Sequence, residues 1–330
     1  MKLKVAVIGV GAMGRNHARV YSTMPNVTLV AVCDPSETGK QIAESYNVKY
    51  YPDYKQMIAD EKIDAVSICV PTKFHAEAAI FAARKKIHIL VEKPIATTVA
   101  EAEDMIKEAK KNKIKLMVGH IECFNPVVIE LKKRISNGEL GKIYKVNCNR
   151  MGPSVSRIYD VGVVIDLAIH EIYILKYLID SDVKRVYAET ERKIHSTHED
   201  LLIGTMRFEN DVLGVINTNW ITPRKFREIT VTGEKGMFVA NYLTQDLDFY
   251  ENDFVRKKVE YPSHSMLVIE GKKIKIDVDK SEPLRNELEA FSKCVIKDLN
   301  VPVNGQEGII ALDIAQKLLE SSKENKVINL

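Results

Sequence analysis

The sequence predicts an α/β protein in which a doubly wound parallel sheet is followed by an α+β domain with a large open, mostly antiparallel sheet. Apolar strand-like runs alternate with helical periodicity from residue 1 to about 120, as they do in βαβ units. A glycine-rich turn follows the first run. From residue 184 to 259, strand-like segments are separated by turn residues, which is typical of an antiparallel sheet. The expected domains are residues 1–122 and 123–330.

The first strand and its turn, Val5 to Gly14, read VAVIGVGAMG and contain a G-x-G-x-x-G motif. In a strand, turn and helix of this order, the first glycine makes the tight turn, the second lets backbone amides approach a pyrophosphate and the third allows the helix to pack on the strand. The helix then directs its N-terminal N–H groups at the phosphates. The stretch predicts a dinucleotide site with contacts from Gly9, Gly11, Ala12, Met13 and Gly14.

Asp34 supports the same prediction. It follows the apolar run Val27–Cys33 and lies 20 residues after Gly14, where a carboxylate hydrogen-bonds the adenosine ribose. A carboxylate at this position repels a 2′-phosphate, so NAD is favoured over NADP as the cofactor. The alternative, in which Asp34 is an ordinary turn residue before Pro35, is the weaker interpretation.

The other elements follow from apolar periodicity and turn residues. In the first half, the predicted strands and helices are Lys4–Ile8, Arg15–Tyr21, Leu29–Cys33, Thr38–Tyr46, Tyr54–Ile58, Ala65–Val70, His75–Lys85, His88–Val91, Val99–Lys111 and Leu116–Gly119. In the second half, the predicted helices are Pro126–Ile135, Val164–Ile179, Pro283–Lys297 and Gln306–Ser322. The predicted strands there are Ile143–Cys148, Val186–Thr190, Leu201–Phe208, Val212–Trp220, Glu228–Thr232, Met237–Tyr242, Asp246–Tyr250 and Val255–Glu260.

Composition argues against several classes of protein. The net charge of the 330 residues is only +3 and no long basic run occurs, so we expect no nucleic-acid partner. The five cysteines are scattered without C-x-x-C spacing, which argues against structural zinc, other metal sites and a disulfide framework. No apolar run is long enough to span a membrane. The first strand begins at the N-terminus without a signal peptide, so we expect a cytoplasmic protein.

Polar residues follow three strands of the predicted parallel sheet. Ligands bind beyond the carboxyl ends of such strands, so these residues are expected to converge on one crevice. The candidate cofactor contacts there are Pro71, Thr72, His75, Glu92 and Lys93, and Glu122 follows the last of these strands. Lys93 stands between Glu92 and Pro94 at the mouth of the sheet, which favours a functional role over that of a surface lysine.

Asp166 and His170 form a second candidate site. Residues four apart share one face of a helix, so the carboxylate and the imidazole are expected to point the same way. Histidine titrates near neutrality and suits general acid–base catalysis. The equal alternative is an acid favoured by the helix dipole beside a histidine of the core.

These motifs resemble those of the Gfo/Idh/MocA family of NAD(P)-dependent sugar dehydrogenases, and the resemblance spans essentially the whole chain. It rests on the glycine motif, on E-K-P at Glu92–Pro94 and on D-x-x-x-H at Asp166–His170. The resemblance implies a Rossmann domain and an α/β domain whose open sheet mediates formation of a homodimer or homotetramer. It also implies that Lys93 and His170 lie beside the reacting hydroxyl and that Asp166 supports the proton relay.

Within the family, Val118–Pro126 and Asn219–Gly233 are most similar to UDP-N-acetylglucosamine 3-dehydrogenases. Three positions depart from the family pattern. Cys123 stands where arginine is common, and Ala168 and Tyr173 replace the glycine and the final aspartate of D-x-G-x-H-x-x-D. These departures leave the proposed relay intact but put substrate contacts in doubt.

The hypothesis is therefore oxidation of a sugar secondary alcohol to a ketone, with hydride passing to the nicotinamide. The preferred substrate is UDP-N-acetylglucosamine, oxidised at C3 for 3-amino sugar biosynthesis. The base is His170 or Lys93. Lys93 qualifies because a positive nicotinamide and the exclusion of water both favour its neutral amine. The candidate substrate contacts are Lys93, Glu122, Asn125, Arg150, Asp166, His170 and Arg224, with Arg157 and Lys225 as further cations for a diphosphate. The alternatives are an inositol or free-sugar dehydrogenase and a non-catalytic NAD-binding sensor.

Overall fold

The computed structural model describes residues 2–153, 161–252 and 271–330. The chain forms two compact units, of which the first comprises Met1–Phe124 and Ser281–Ile314 and the second Asn125–Lys280 and Ala315–Leu330. The helices are α1 Gly14–Thr23, α2 Glu37–Tyr46, α3 Tyr54–Asp60, α4 His75–Arg84, α5 Val99–Lys111, α6 Pro126–Ser136, α7 Ile169–Ile179, α8 Pro283–Ile296 and α9 Gly305–Glu324. Two 3₁₀ turns, Thr72–Phe74 and Ile121–Phe124, and a π-helical turn, Val164–Ala168, accompany them.

The first unit contains a six-stranded parallel sheet in the order β3-β2-β1-β4-β5-β6. Its strands are β1 Leu3–Ile8, β2 Val27–Cys33, β3 Lys49–Tyr51, β4 Ala65–Ile68, β5 His88–Glu92 and β6 Leu116–Gly119. The central strands β1 and β4 are buried along almost their whole length, as expected of strands covered by helices on both faces. The strand order reverses between β1 and β4, and this switch point is where a doubly wound sheet binds its ligand. The predicted parallel sheet is confirmed.

Helix α8 belongs to the first unit, whereas the sequence analysis assigned it to a domain of residues 123–330. It packs against α1 and the turn Ile121–Phe124, and Asn286 Nδ2 donates a hydrogen bond to the carbonyl oxygen of Phe124 at 3.0 Å. Its apolar face, Leu284, Leu288 and Phe291, is buried. The chain therefore returns to its first unit over Ser281–Ile314, before the final strand, Ile328–Asn329, completes the second sheet, and a boundary drawn from the change of pattern near residue 122 does not include this return.

The second unit is built on a nine-stranded sheet in the order β14-β13-β12-β11-β7-β10-β9-β8-β15. The strands are β7 Ile143–Pro153, β8 Val183–Glu191, β9 Leu201–Phe208, β10 Leu213–Asn219, β11 Ile221–Gly233, β12 Gly236–Asn241, β13 Asp246–Glu251, β14 Lys273–Ile276 and β15 Ile328–Asn329. Among the described strands of this second sheet, only β7 and β10 pair in parallel, which confirms a mostly antiparallel sheet. The predicted strand Val255–Glu260 lies outside the described residues.

Helix α7 forms the core of the second unit. Nine of its eleven residues are buried, and it packs against α6 and against strands β7 and β10. A helix that is apolar on nearly every side must be covered on nearly every side. The sheet therefore fixes the position of α7 and of the turn that precedes it. Within the described part of the chain, no helix is long and apolar enough to cross a membrane.

Candidate active site

The glycine turn of the first unit combines close packing with an open cradle. Gly9 has a φ of +84°, and a Cβ there would lie 2.8 Å from the backbone nitrogen of Val70. A Cβ on Gly14 would lie 1.8 Å from the carbonyl oxygen of Gly9, so the start of α1 presses directly on the turn. A Cβ on Gly11, in contrast, would meet no atom of the described chain within 4 Å. Gly9 and Gly14 thus serve packing, and Gly11 keeps room for a phosphate group.

The N-terminus of α1 is suited to an anion. Met13 precedes the helix without a side-chain cap among the described residues, and the first turn contains no acid. Ala12 and Met13 are half-buried. The first N–H groups of a helix have no partner within the helix and carry its positive dipole end. The uncapped terminus and the open space at Gly11 fit the pyrophosphate of a dinucleotide.

Asp34 fastens the end of β2 to the glycine turn. Its Oδ2 accepts a hydrogen bond from the backbone N–H of Val10 at 2.9 Å. Its Oδ1 accepts from the backbone N–H of Ser36 at 2.9 Å and from the Ser36 hydroxyl at 2.5 Å. The carboxylate lies at the position that the sequence analysis gave it, and it also orients the turn that holds the phosphates.

His75 bridges two strand ends in the first unit. Its ring nitrogens lie 2.9 Å from the carbonyl oxygens of Pro94 and Val70, respectively. Burial lowers the pKa of His75, so the ring is neutral at neutral pH and donates to one carbonyl at a time. Both ring nitrogens of His75, which is a predicted cofactor contact, therefore face backbone carbonyl oxygens of the protein. Thr72 is half-buried beside it, and Pro71 is exposed.

Glu92 is buried and directed at the protein rather than at solvent. Its Oε1 lies 3.0 Å from His17 Nε2, and its Oε2 accepts from the backbone N–H of Lys93 at 3.2 Å. Burial alone would raise the pKa of Glu92, but the hydrogen bond and charge of His17 and the charge of Lys93 outweigh it and lower the pKa. Glu92 is therefore a carboxylate that supports the bend at Lys93, where the bond to Pro94 is cis.

Two further polar residues after β6 are buried. Burial, together with the positive charge of Lys93, lowers the pKa of His120 to about 3. The imidazole of His120 is consequently neutral throughout the physiological pH range and is not a proton-transfer group there. Glu122, a predicted substrate contact, is buried in the 3₁₀ turn. Lys93 itself is half-buried at the end of β5.

One cluster in the first unit has the chemistry of a metal site. A ring nitrogen of His17, the Cys69 thiol and a Glu92 oxygen lie within 4.8 Å of one another, although Cys69 and Glu92 are far from His17 in the sequence. His17 is already bonded to Glu92. Burial, with the charge of Glu92, holds the pKa of Cys69 well above its usual value. The thiol is protonated and the imidazole is already bonded to Glu92. A cation could bind here only by removing the thiol proton and breaking that bond.

Glu287 on α8 is a residue that the sequence analysis missed. It is fully buried, and neither carboxyl oxygen has a hydrogen-bond partner among the described residues. Burial, with the negative charges of Glu92 and Glu122, raises its pKa well above the usual value. A signal was present, because Glu287 stands on the same helical face as Leu284, Leu288 and Phe291, where an acid interrupts an apolar stripe.

In the second unit, Asp166 and His170 occupy a π-helical turn and the start of α7. The backbone N–H of Ile169 donates to the carbonyl oxygen of Val164, which is the i→i+5 bond of a π-turn. The sequence predicted one continuous α-helix here. Asp166 is half-buried, and His170 is 8% exposed. π-Turns are rare and frequently occur at functional sites.

Glu199 holds the beginning of this turn. Its Oε1 accepts from the backbone N–H of Val164 at 3.1 Å, and its carbonyl oxygen accepts from that of Val163 at 2.9 Å. A Cβ on Gly162 would lie 2.0 Å from Glu199 Oε1, so a side chain at Gly162 would displace the cap. Glu199 was not recognised in the sequence because it caps a helix from a distant loop.

Arg150 is buried and paired within the second unit. Its Nε lies 2.5 Å from Glu171 Oε1, and the two side chains are 3% and 0% exposed. The guanidinium is therefore part of a buried ion pair between β7 and α7, and its assignment to a diphosphate stays a prediction. Burial and Glu171 also raise the pKa of Cys148 well above its usual value.

The remaining predicted substrate contacts differ in exposure. Asn125 is buried as the N-cap of α6, where Oδ1 accepts from the N–H of Val127 at 3.3 Å and Nδ2 donates to the carbonyl oxygen of Tyr242 at 3.2 Å. Arg224 is exposed on β11, with its guanidinium 5.1 Å from the centre of the Phe226 ring. Arg157 lies outside the described residues.

Comparison with known proteins identifies the family. Residues 3–120 match the oxidoreductase family with an NAD-binding Rossmann fold, and residues 132–330 match the C-terminal alpha/beta domain of the same family. The chain belongs to the Gfo/Idh/MocA oxidoreductases. The cofactor prediction is confirmed, because the glycine cradle and Asp34 lie within the NAD-binding domain of this oxidoreductase.

Individual relatives are distant but extend over most of the chain. Myo-inositol 2-dehydrogenase of Thermotoga maritima is 25% identical over 340 residues, covering 99% of this chain and 98% of the relative. D-glucoside 3-dehydrogenase of Escherichia coli is 29% identical over 278 residues, covering 74% and 79%. The structure of UDP-N-acetylglucosamine 3-dehydrogenase GnnA from Acidithiobacillus ferrooxidans superposes with a TM-score of 0.86 at 22% identity, covering 98% and 99%, and so has the same fold.

Proposed function

We propose that this oxidoreductase oxidises a secondary alcohol of a sugar to a ketone with NAD, and that the sugar is UDP-N-acetylglucosamine, oxidised at C3. The observation that carries the reaction class is the pair of Asp166 and His170, which stands at a π-turn capped by Glu199. A carboxylate and an imidazole about one helical turn apart are suited to removing the proton of an alcohol.

Each side chain has a distinct role in this proposal. NAD, when bound, takes up the hydride at C4 of its nicotinamide. His170 accepts the hydroxyl proton, and Asp166 orients the ring and stabilises its protonated form. Lys93 hydrogen-bonds the oxygen that becomes the ketone, or acts as the base itself as a neutral amine. Glu92 and His17 fix the backbone at Lys93 and do not act on substrate.

The proposed substrate rests on two stretches of sequence and on exposed cations. Val118–Pro126 and Asn219–Gly233 are similar to the corresponding stretches of UDP-N-acetylglucosamine 3-dehydrogenases. Arg224 and Lys225, in the second stretch, are exposed and available to a diphosphate. The fold shared with GnnA over nearly the whole chain agrees with this choice.

A free polyol or sugar is the second candidate. The relatives include inositol dehydrogenases and a D-glucoside 3-dehydrogenase, and the match to myo-inositol 2-dehydrogenase of Thermotoga maritima covers 99% of this chain. The charge of Arg150, one of the cations considered for a diphosphate, is also offset by its buried partner Glu171. The same proton-transfer groups would serve either substrate.

The test is a substrate panel. The protein is incubated with NAD and UDP-N-acetylglucosamine, UDP-glucose, N-acetylglucosamine, glucose or myo-inositol, and NADH formation is followed by absorbance. Addition of 2-oxoglutarate reveals NAD that stays bound and is recycled. We expect turnover with UDP-N-acetylglucosamine and its loss in K93A and H170A. Turnover with inositol alone would overturn the substrate, and wild-type rates in both variants would overturn the mechanism.

A charge variant tests the diphosphate separately. R224A/K225A is expected to raise KM for the UDP-sugar while leaving kcat and NAD affinity unchanged. K184A, which removes an exposed lysine of β8 from the same unit, is the matched control and should change none of these values. Equal KM values in R224A/K225A and K184A would contradict the assignment of these cations.

We also propose that the chain forms a homodimer or homotetramer through the nine-stranded sheet. Along β9 the buried residues alternate with Ile203, a large apolar side chain that is 51% exposed. The assembly state is measured by light scattering of the eluting protein. I203K is expected to shift the mass towards the monomer, and a monomeric wild-type protein would contradict the proposal.

A further inference from the structure

The acids around Lys93 raise a problem of charge. Glu92, Glu122 and Glu287 are all buried in the first unit, and the negative charges of Glu92 and Glu122 both act on Glu287. Three carboxylates in one core would repel one another strongly, because charges interact at short range in a medium that screens them poorly. This repulsion favours the neutral form of the acid that has the fewest stabilising contacts.

Glu92 has neighbours that stabilise a negative charge. One of its oxygens lies 3.0 Å from His17 Nε2, and the other accepts from the backbone N–H of Lys93. Together with the positive charge of Lys93, these contacts lower the pKa of Glu92 and favour its carboxylate form. The second contact holds the bend at Lys93, so displacement of Glu92 would loosen it.

Glu287 has the opposite surroundings. It projects from α8 into a region lined by His17 and Tyr21 of α1, Cys69 after β4, Glu92 of β5 and Glu122 of the 3₁₀ turn. The charges that act on it are both negative, and neither of its oxygens has a hydrogen-bond partner in the described part of the chain. A buried carboxylate without partners is far more costly than a neutral acid.

We propose that Glu287 is a positioning residue that keeps its proton in the folded protein, and that its neutrality allows Glu92 to remain the carboxylate that holds Lys93 in place. Ionisation of Glu287 would set a second negative charge beside Glu92, and the repulsion between the two carboxylates would displace Glu92 from the N–H of Lys93. The bend at Lys93 would then lose a contact, and both NAD binding and turnover would weaken. The effect on turnover rests on the proposed function, whereas the protonation and the effect on NAD binding do not.

The test compares E287Q with the wild-type protein. Glutamine has nearly the shape of the neutral acid and cannot ionise, so E287Q is expected to fold and to bind NADH as the wild type does at pH 7. E289Q is the matched control, because Glu289 is exposed on the same helix. Infrared difference spectra should show a protonated-carboxyl band at pH 7 in the wild type and E289Q that is absent from E287Q.

Titration to alkaline pH then tests positioning. As the band disappears, the NADH dissociation constant of the wild type and E289Q should rise by roughly fivefold or more, and that of E287Q should not rise with it. Absence of a band difference at pH 7 would overturn the protonation. A band difference with identical NADH affinities at every pH would overturn the positioning role. If no sugar is oxidised, these two readouts still decide the inference, and the proposed function fails separately.

Discussion

Removal of one member of the buried pair Arg150–Glu171 should unfold the second unit more readily than removal of both. The side chains are 3% and 0% exposed, so a single substitution leaves a charge in the core without its partner. We expect R150M or E171L to lower the free energy of unfolding by about 3–5 kcal/mol. R150M/E171L replaces the pair by apolar groups and should recover most of this loss, because no buried charge then remains.

The protein contains one tryptophan, Trp220, which is 4% exposed and lies in the same unit. Urea unfolding followed by its fluorescence therefore reports on this unit, and four proteins complete a double-mutant cycle. The reasoning is refuted if R150M loses less than about 1 kcal/mol, the value typical of an exposed ion pair. An unchanged stability with a raised KM for a UDP-sugar would instead assign Arg150 to the substrate.

Three further outcomes follow from the same contacts. The pKa of Glu287 is raised in the folded protein, so its contribution to stability is complete below the unfolded pKa near ~4.3 and is lost as pH rises towards the folded pKa. Between these values, the free energy of unfolding of the wild type, measured by urea unfolding and circular dichroism, should fall by roughly 1 kcal/mol per pH unit relative to that of E287Q. An equal pH dependence of this free energy in the two proteins would contradict the prediction. D34N should raise the ratio of NADP to NAD affinity by roughly fivefold or more, since removal of the carboxylate relieves about 1 kcal/mol of repulsion, while S36A keeps the ratio unchanged. E199A should lower the free energy of unfolding, followed by Trp220 fluorescence, by about 1 kcal/mol because the N–H of Val164 loses its acceptor. E199Q retains an acceptor oxygen and should lower this free energy much less.

The sequence predicted the elements whose pattern is local. The apolar runs of β1, β2 and β4 are buried on both faces and stand between turn residues, and each was found within a few residues of its bounds. The short edge strand Lys49–Tyr51 was missed because its three residues are exposed or half-buried and carry no apolar alternation. Strands β14 and β15, with four and two residues, are equally short and were also missed.

The candidate site was predictable in kind and less so in its contacts. The glycine motif and Asp34 are contiguous signals whose geometry follows from chain order. The pairing of Arg150 with Glu171 is not such a signal, because it depends on the register of β7 against α7. The π-turn at Val164–Ala168 was likewise invisible, since a single changed hydrogen bond leaves the apolar periodicity of a helix intact.

Two of the candidate residues at the strand ends, His75 and Glu92, bond to the backbone, whereas Lys93 is the one proposed to act on the substrate. His75 spans the carbonyls of Val70 and Pro94, and Glu92 takes the N–H of Lys93. Both are buried, and both contact the bend after β5, His75 from the start of α4 and Glu92 from the end of β5. A lysine side chain is long and flexible, so its amine is placed accurately only if its backbone is held. The polar residues beside Lys93 are therefore best understood as its support, and substitutions at His75 or Glu92 should affect turnover through Lys93 rather than through lost contacts with the substrate.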